Sequence, residues 1–309
     1  MKDWFSMKLM RKKVLIVGAN GLLGQNLLQA FEHDYDRVAS NRSDTFILAQ
    51  PDISYRRCDI TKRADVVKLV KDFVPNYIIN AAAFTNVDGS EAQREECWQV
   101  NATAVGYLAE AAAQIGARLI HVSTDYVFDG ASGPYREDQR PNPLGFYGRA
   151  KLAGENAVIG SGANYAIART MVLYGHGVNV RPNFVTWLIK QLQTGNPVRI
   201  VTDQFGNPTL ASELARALRK LAESGQTGIF HLSGAEIIDR YNFALQIAEV
   251  FHLNKKLITP IRTADLEQQA LRPTNSGFDI AKAVKELGIS MSNVVEGLQK
   301  FKTELAQHS

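Results

Sequence analysis

The stretch "KVLIVGANGLLG", residues 13–24, decides the fold. Val14 to Val17 form a continuous apolar run, and three glycines follow at Gly18, Gly21 and Gly24. An unbroken apolar run of this length fits a strand buried on both faces of a sheet. The residues after it, to Glu32, have the spacing of an amphipathic helix. Glycines at a strand–helix junction allow a tight turn. They also let backbone N–H groups approach a pyrophosphate at the helix N-terminus, where unpaired donors and the helix dipole favour an anion. The missing Gly-Lys-Ser/Thr excludes a Walker-type P-loop. Gly18, Asn20, Gly21, Leu22, Leu23 and Gly24 are therefore the first cofactor-binding candidates.

Outward from this junction, short apolar segments alternate with helical ones. Strands are expected at 37–41, 55–61, 77–83, 118–124 and 165–175, and helices at about 64–73, 92–114 and around Tyr147. This alternation predicts βαβ units with right-handed crossovers. The expected fold is α/β, a Rossmann-type doubly wound parallel sheet over 1–174. Residues 175–309 then form mainly a smaller C-terminal substrate lobe, where "VRPNF", "DQFGNPT" and "LRPTNSGFD" supply loops suited to a ligand.

Composition narrows the function classes. The 309 residues are 45% hydrophobic and 21% charged, as in ordinary soluble globular proteins. The net charge of +4 is spread among interspersed acids and bases, so neither nucleic acid nor a membrane surface is an expected partner. No apolar run reaches membrane-spanning length. The N-terminal "MKDWFSMKLMRKK" lacks the apolar core and cleavage site of a secretory signal. Cys58 and Cys97 have no CxxC spacing and are expected as buried thiols in a reducing cytoplasm. The six histidines show no ligand spacing, so no metal is expected. "GASG" at 130–133 is not the Gly-x-Ser-x-Gly elbow of an α/β-hydrolase.

The end of the second strand discriminates between cofactors. An acid there binds the ribose 2′-hydroxyl of NAD, whereas a basic residue suits a 2′-phosphate. Here Ser40, Asn41 and Arg42 precede any acid, which favours NADPH; Asp44, slightly later, keeps NADH open.

Two further segments carry chemistry. "HVSTDYVFDG" ends the fifth strand, where Thr124 would face the ligand crevice at the carboxyl edge of the sheet. "YGRAK" places Tyr147 and Lys151 four residues apart, on one helix face. A phenol near pKa 10 exchanges its proton more readily beside a cation, which suits interconversion of a ketone and an alcohol.

Together these residues resemble the extended short-chain dehydrogenase/reductases, and more narrowly the dTDP-4-dehydrorhamnose reductase family. The shared motifs run in order: "NAAAFTNVD", "STDYVFDG", "YGRAKLAGE", "RT…YG", "DQFGNPT" and "RPTNS". The resemblance implies that Thr124 orients the substrate carbonyl, Tyr147 donates the proton, and Lys151 holds the nicotinamide ribose while lowering the tyrosine pKa. It places Asp59 and Ile60 against the adenine, and Ala81, Ala82, Ala83 and Thr85 beside the cofactor. Asn101 corresponds to the helix asparagine that supports the site. Thr85, Val87, Asp125, Tyr126, Val172, Asn183, Arg272 and Asn275 are candidates for the nucleotide-sugar pocket, and a homodimer is left open. One departure stands out: family members read Arg-Thr-Ser-Trp-Val-Tyr-Gly where this chain has Arg169-Thr170-Met171-Val172-Leu173-Tyr174-Gly175. The same branch contains methionine adenosyltransferase β subunits, which act as binding partners. A nucleotide-binding regulatory subunit is therefore the alternative to an enzyme, alongside a reductase or epimerase of another nucleotide sugar.

Overall fold

Val14 and Ile16 lie on one side of strand β1 (Lys12–Val17), Leu15 and Val17 on the other, and each pair enters a separate apolar core. Burial on both faces accounts for the unbroken apolar run. The computed structural model describes residues 11–48, 50–266 and 268–307; the first ten residues of the N-terminal segment considered above lie outside the described residues. The chain continues through α1 (Leu22–Ala30), β2 (Tyr35–Asn41), β3 (Ile53–Arg57), α2 (Arg63–Phe73) and β4 (Tyr77–Asn80). Next come α3 (Gly89–Ala92), α4 (Arg94–Trp98), a π-helical turn (Gln99–Thr103), α5 (Ala104–Ile115), β5 (Arg118–Thr124), α6 (Phe146–Ile159) and β6 (Asn164–Thr170).

These strands form a parallel sheet in the order β6-β5-β4-β1-β2-β3, extended beyond β6 by a seventh parallel strand, Gly228–His231. The fold is the expected Rossmann-type α/β architecture. Strand order reverses between β1 and β4, and the crevice at their carboxyl ends is where such sheets take ligands. Gly18 occupies this switch point at φ +86°, and a Cβ there would stand 2.7 Å from the Ala82 nitrogen. Only glycine fits.

Several expected boundaries move. The strand expected at 55–61 ends at Arg57, and Asp59 instead turns the chain by accepting from the Thr61 N–H (3.1 Å) and hydroxyl (2.7 Å). The single helix expected at 92–114 is broken into α3, α4, the π turn and α5. The segment 165–175 breaks at Val172, whose φ is +46°.

Beyond residue 174, α7 (Phe184–Gln193), α9 (Arg240–Val250) and the helix Val294–Gln307 surround a third core containing Tyr174, Leu188, Phe243 and Phe301. The chain also returns to the sheet there. Helix α8 (Ala211–Ser224) sends Leu214, Leu218 and Leu221 into the core beneath α1. Among the described residues no helix is long and apolar enough to cross a membrane, and no group of three or more His, Cys, Asp or Glu could hold a metal.

Candidate active site

Helix α6 approaches its neighbours so closely that two positions have no room for a side chain. A Cβ on Gly148 would meet the Tyr126 carbonyl oxygen at 2.1 Å, and one on Gly154 the Asn101 carbonyl oxygen at 2.2 Å. This contact seats Tyr147 and Lys151 against the end of β5 and the π turn. The π turn is itself tied down by Asn101, whose side chain accepts from the Phe84 N–H (2.9 Å) and donates to the Phe84 carbonyl (2.9 Å).

Tyr147 is buried, near enough to the Thr124 hydroxyl to be acted on by it, and packed edge-on against Tyr126 at 5.4 Å. Val87 belongs to the same apolar cluster. The Thr124 hydroxyl donates to Asp125 Oδ1 (3.1 Å) and accepts from the Tyr126 N–H (3.2 Å). Asp125 is buried, with Ser276 donating to its second oxygen at 2.6 Å, and burial pushes its carboxyl up. Thr124, Asp125 and Tyr126 thus form one hydrogen-bonded group, against which the Tyr147 ring packs.

Electrostatics here differ from the expectation for tyrosine. Burial pushes the Tyr147 hydroxyl up, Asp125 adds to the rise, and the Thr124 bond opposes it. Lys151 does not reverse this. Its Nζ donates to the Val122 carbonyl (2.8 Å) and lies 3.5 Å from His121 Nε2, so it is directed at the sheet. Burial lowers Lys151 itself to about 8.

Two arginines stand beside Tyr126. Arg272 donates through both terminal nitrogens to Asp88 (2.9 and 2.7 Å); that pairing lowers Asp88 and raises Arg272 against the effect of burial. Arg240 lies 5.5 Å from the Phe184 ring centre and interacts with Asp125 and Tyr126. Asp88, Arg240 and Ser276 were not singled out by the sequence. Asp88 closes the quoted "NAAAFTNVD" motif and Ser276 the quoted "RPTNS" loop, but no local pattern marks Arg240.

Other candidates sit differently. Asn183 caps α7: its side chain accepts from the Thr186 N–H (3.1 Å) and donates to the Gly175 carbonyl (3.0 Å). Asn275 is similarly occupied, donating to the Gly133 carbonyl (3.2 Å) and accepting from the Gly277 N–H (3.4 Å). Both side chains shape the lobe through these bonds. Asn20 clamps the loop after β2, through Thr45 (2.8 Å) and Ile47 (3.1 Å). The Ile60 side chain belongs to the core. Val172 is half-buried between two apolar clusters, with Met171 turned away and its sulfur 2.9 Å from the Asn207 nitrogen. A left-handed β-branched residue costs about 1–3 kcal/mol.

The glycine junction fits a dinucleotide. Helix α1 has no side-chain cap and no acid in its first turn, and a Cβ on Gly21 would meet only the Gly18 oxygen, at 3.3 Å. Its N–H groups remain available to an anion. Past the end of β2, Arg42 lines an open cleft of ≈ 640 Å³ with Thr61, Arg94 and Glu96, its guanidinium 3.7 Å from Glu96. Ser40 is buried, with its hydroxyl unpartnered, while its carbonyl accepts from Gly18 and Ala19.

A model of the RmlD substrate binding domain family matches residues 11–307. The chain belongs to this family. It is 34% identical over 302 residues to a dTDP-4-dehydrorhamnose reductase of Aggregatibacter actinomycetemcomitans, covering 94% of this chain and 98% of that protein. Its fold matches the crystal structure of dTDP-4-dehydrorhamnose reductase from Bacillus anthracis in complex with NADP, with a TM-score of 0.85 and 31% identity over 96% of this chain and all of that one. It is also similar to methionine adenosyltransferase 2 subunit beta of Bos taurus, 35% identical over 285 residues, or 90% of this chain and 83% of that protein. The reductase relative is matched over nearly its whole length and the fold matches a reductase holding NADP, so the reductase is the main reading and the subunit the alternative. The buried Thr124–Tyr147 pair is the chemical feature that bears on the choice.

Proposed function

We propose that this chain is an NADPH-dependent reductase of nucleotide-linked 6-deoxy-4-keto sugars, with dTDP-4-dehydrorhamnose as its substrate. The observation that carries the proposal is the buried, protonated Tyr147 hydroxyl set beside Thr124 and Tyr126, with Thr124 itself fixed by Asp125. A protonated phenol can donate to a carbonyl oxygen, and the Thr124 hydroxyl would join it by turning its one proton from Asp125 to the substrate. The bound cofactor supplies a hydride to the carbonyl carbon. Tyr147 gives its proton to the oxygen, Thr124 orients it, and the high phenol pKa keeps the proton on Tyr147 until negative charge develops.

The N-terminus of α1 would hold the pyrophosphate, with Gly18, Gly21 and the Ala81–Ala83 backbone leaving it room. Arg42 and Ser40 would take the 2′-phosphate. Arg240 and Arg272 would face the sugar nucleotide's diphosphate, and Tyr126 and Val172 its sugar. The reaction is placed in the cytoplasm, consistent with two buried free thiols, Cys58 and Cys97.

The regulatory-subunit reading is supported by the bovine relative and by Val172, which lacks the surface of the family tryptophan. Reduction of another nucleotide sugar would suit the same change. The deciding experiment is NADPH oxidation against a panel of 4-keto nucleotide sugars. Turnover of the dTDP-linked ketone is expected. NADPH binding without turnover of any member, together with copurification of another enzyme, would replace the reductase by the subunit.

A further inference from the structure

Lys151 is held from below by a chain of contacts that the proposed mechanism does not use. The Ala82 N–H donates to Asn80 Oδ1 at 3.2 Å, which fixes the amide orientation, since a backbone N–H can only donate. Asn80 Nδ2 therefore faces His121 Nδ1, at 3.1 Å. An amide NH₂ also only donates, so Nδ1 must be bare. His121 is fully buried, and burial holds its imidazole well below its ordinary pKa, with Lys151 adding to the effect. A neutral ring with a bare Nδ1 carries its proton on Nε2, the nitrogen 3.5 Å from Lys151 Nζ.

We propose that Asn80 and His121 are a positioning pair for Lys151: the amide fixes the imidazole as the Nε2–H tautomer, and that proton faces the lysine nitrogen. His121 can then donate to a neutral amine but can accept nothing from an ammonium. One ammonium proton is taken by the Val122 carbonyl, and the others are left to the cleft. The pair thereby favours the neutral amine, the state Lys151 reaches after giving up a proton, as it would in restoring the one Tyr147 has lost. This last consequence rests on the reductase reading; the tautomer does not.

Two other groups act on Lys151, and both favour its charged form: Glu155, one helical turn along α6, and Cys97 on α4. Glu155 is already engaged by Arg169, at 2.9 and 2.7 Å. Lys151 is the charged group that acts on His121.

The test uses the full chain and needs no substrate. In protein labelled with ¹⁵N-histidine, two-bond ¹H–¹⁵N correlations should show His121 as the Nε2–H tautomer from pH 6 to 9. Asn80→Asp keeps an acceptor for Ala82 and offers a second to Nδ1–H, so the tautomer should flip and Nε2 should accept from the ammonium. The ¹³Cε titration midpoint of Lys151 should then rise by about 1–3 pH units, as an added opposite charge commonly produces. The upper limb of the kcat/KM profile should move with it. His121→Leu removes the donor to the neutral amine and should also raise the midpoint, giving a second reading should Asn80→Asp not fold. An Nδ1–H tautomer in the wild type would overturn the proposal, as would a fall of the midpoint in His121→Leu. If the tautomer and midpoints behave as expected while no nucleotide sugar is reduced, the reductase assignment fails and the positioning pair stands.

Discussion

Replacing Lys151 by methionine gives a stability signature that can be worked out from the buried amine. Burial lowers Lys151 from an ordinary 10.5 to about 8. At about 1.4 kcal/mol per decade, this amounts to about 3 kcal/mol by which the folded state disfavours the ammonium relative to the unfolded chain. The folded pKa is depressed, so the unfolded state binds more protons between pH 8 and 10.5, and wild-type stability rises with pH across that window. The contribution is fully present above 10.5 and is lost as pH falls through 8. Lys151→Met has no such group.

Methionine also leaves the Val122 carbonyl without its donor, costing about 1–3 kcal/mol at every pH. At pH 6.5 the two effects oppose each other and the proteins should have similar stability. From pH 6.5 to 9.5 the wild type should gain about 2 kcal/mol on Lys151→Met. Urea unfolding followed by tryptophan fluorescence at four pH values measures this, because other titrating groups cancel in the difference. Parallel pH profiles for the two proteins would refute the buried-amine reasoning. A wild type that loses ground as pH rises would reverse its sign.

Tyr147→Phe keeps the ring contact with Tyr126 and removes the proton donor; kcat for ketone reduction should fall by about 10²–10⁴-fold while the NADPH Kd stays near wild type. Arg42→Ala should weaken NADPH selectively over NADH in titration calorimetry, because its guanidinium fork matches a phosphate and its Glu96 partner is loosely held. Glu155→Gln strands the buried Arg169 guanidinium and should cost about 3–5 kcal/mol in urea unfolding. Val172→Trp adds apolar contact area and removes β-branching from a left-handed position; KM for the dTDP-linked ketone should fall, with Met171 clear of the added ring.

What the sequence revealed depended on how locally each feature was encoded. Val14–Val17 was legible because two-sided burial demands an unbroken apolar run, and Arg118–Thr124 matches β5 residue for residue. Tyr147 and Lys151 were legible as a pair because helical spacing fixes their common face. Arg272 and Asp88 are separated by 184 residues, and Ser276 and Asp125 by 151; no window of sequence contains either bond. The helix expected at 92–114 was continuous by periodicity, yet Asn101 trades regular helix for a clamp on Phe84, a tertiary gain that overrides propensity. Asn183 shows the opposite failure. Its spacing to Thr186 is a capping pattern, and reading it as a ligand group ignored the unpaired N–H groups that every helix start must satisfy. Val172 combines both difficulties. A valine continuing an apolar strand reads as more strand, and only the contacts with Gly206 and Thr209 reveal that the backbone turns left-handed there. Because that turn carries strain between two apolar clusters, and because the family places an unbranched aromatic side chain at the same point, the proposed selectivity for the sugar is the property this one substitution would change most.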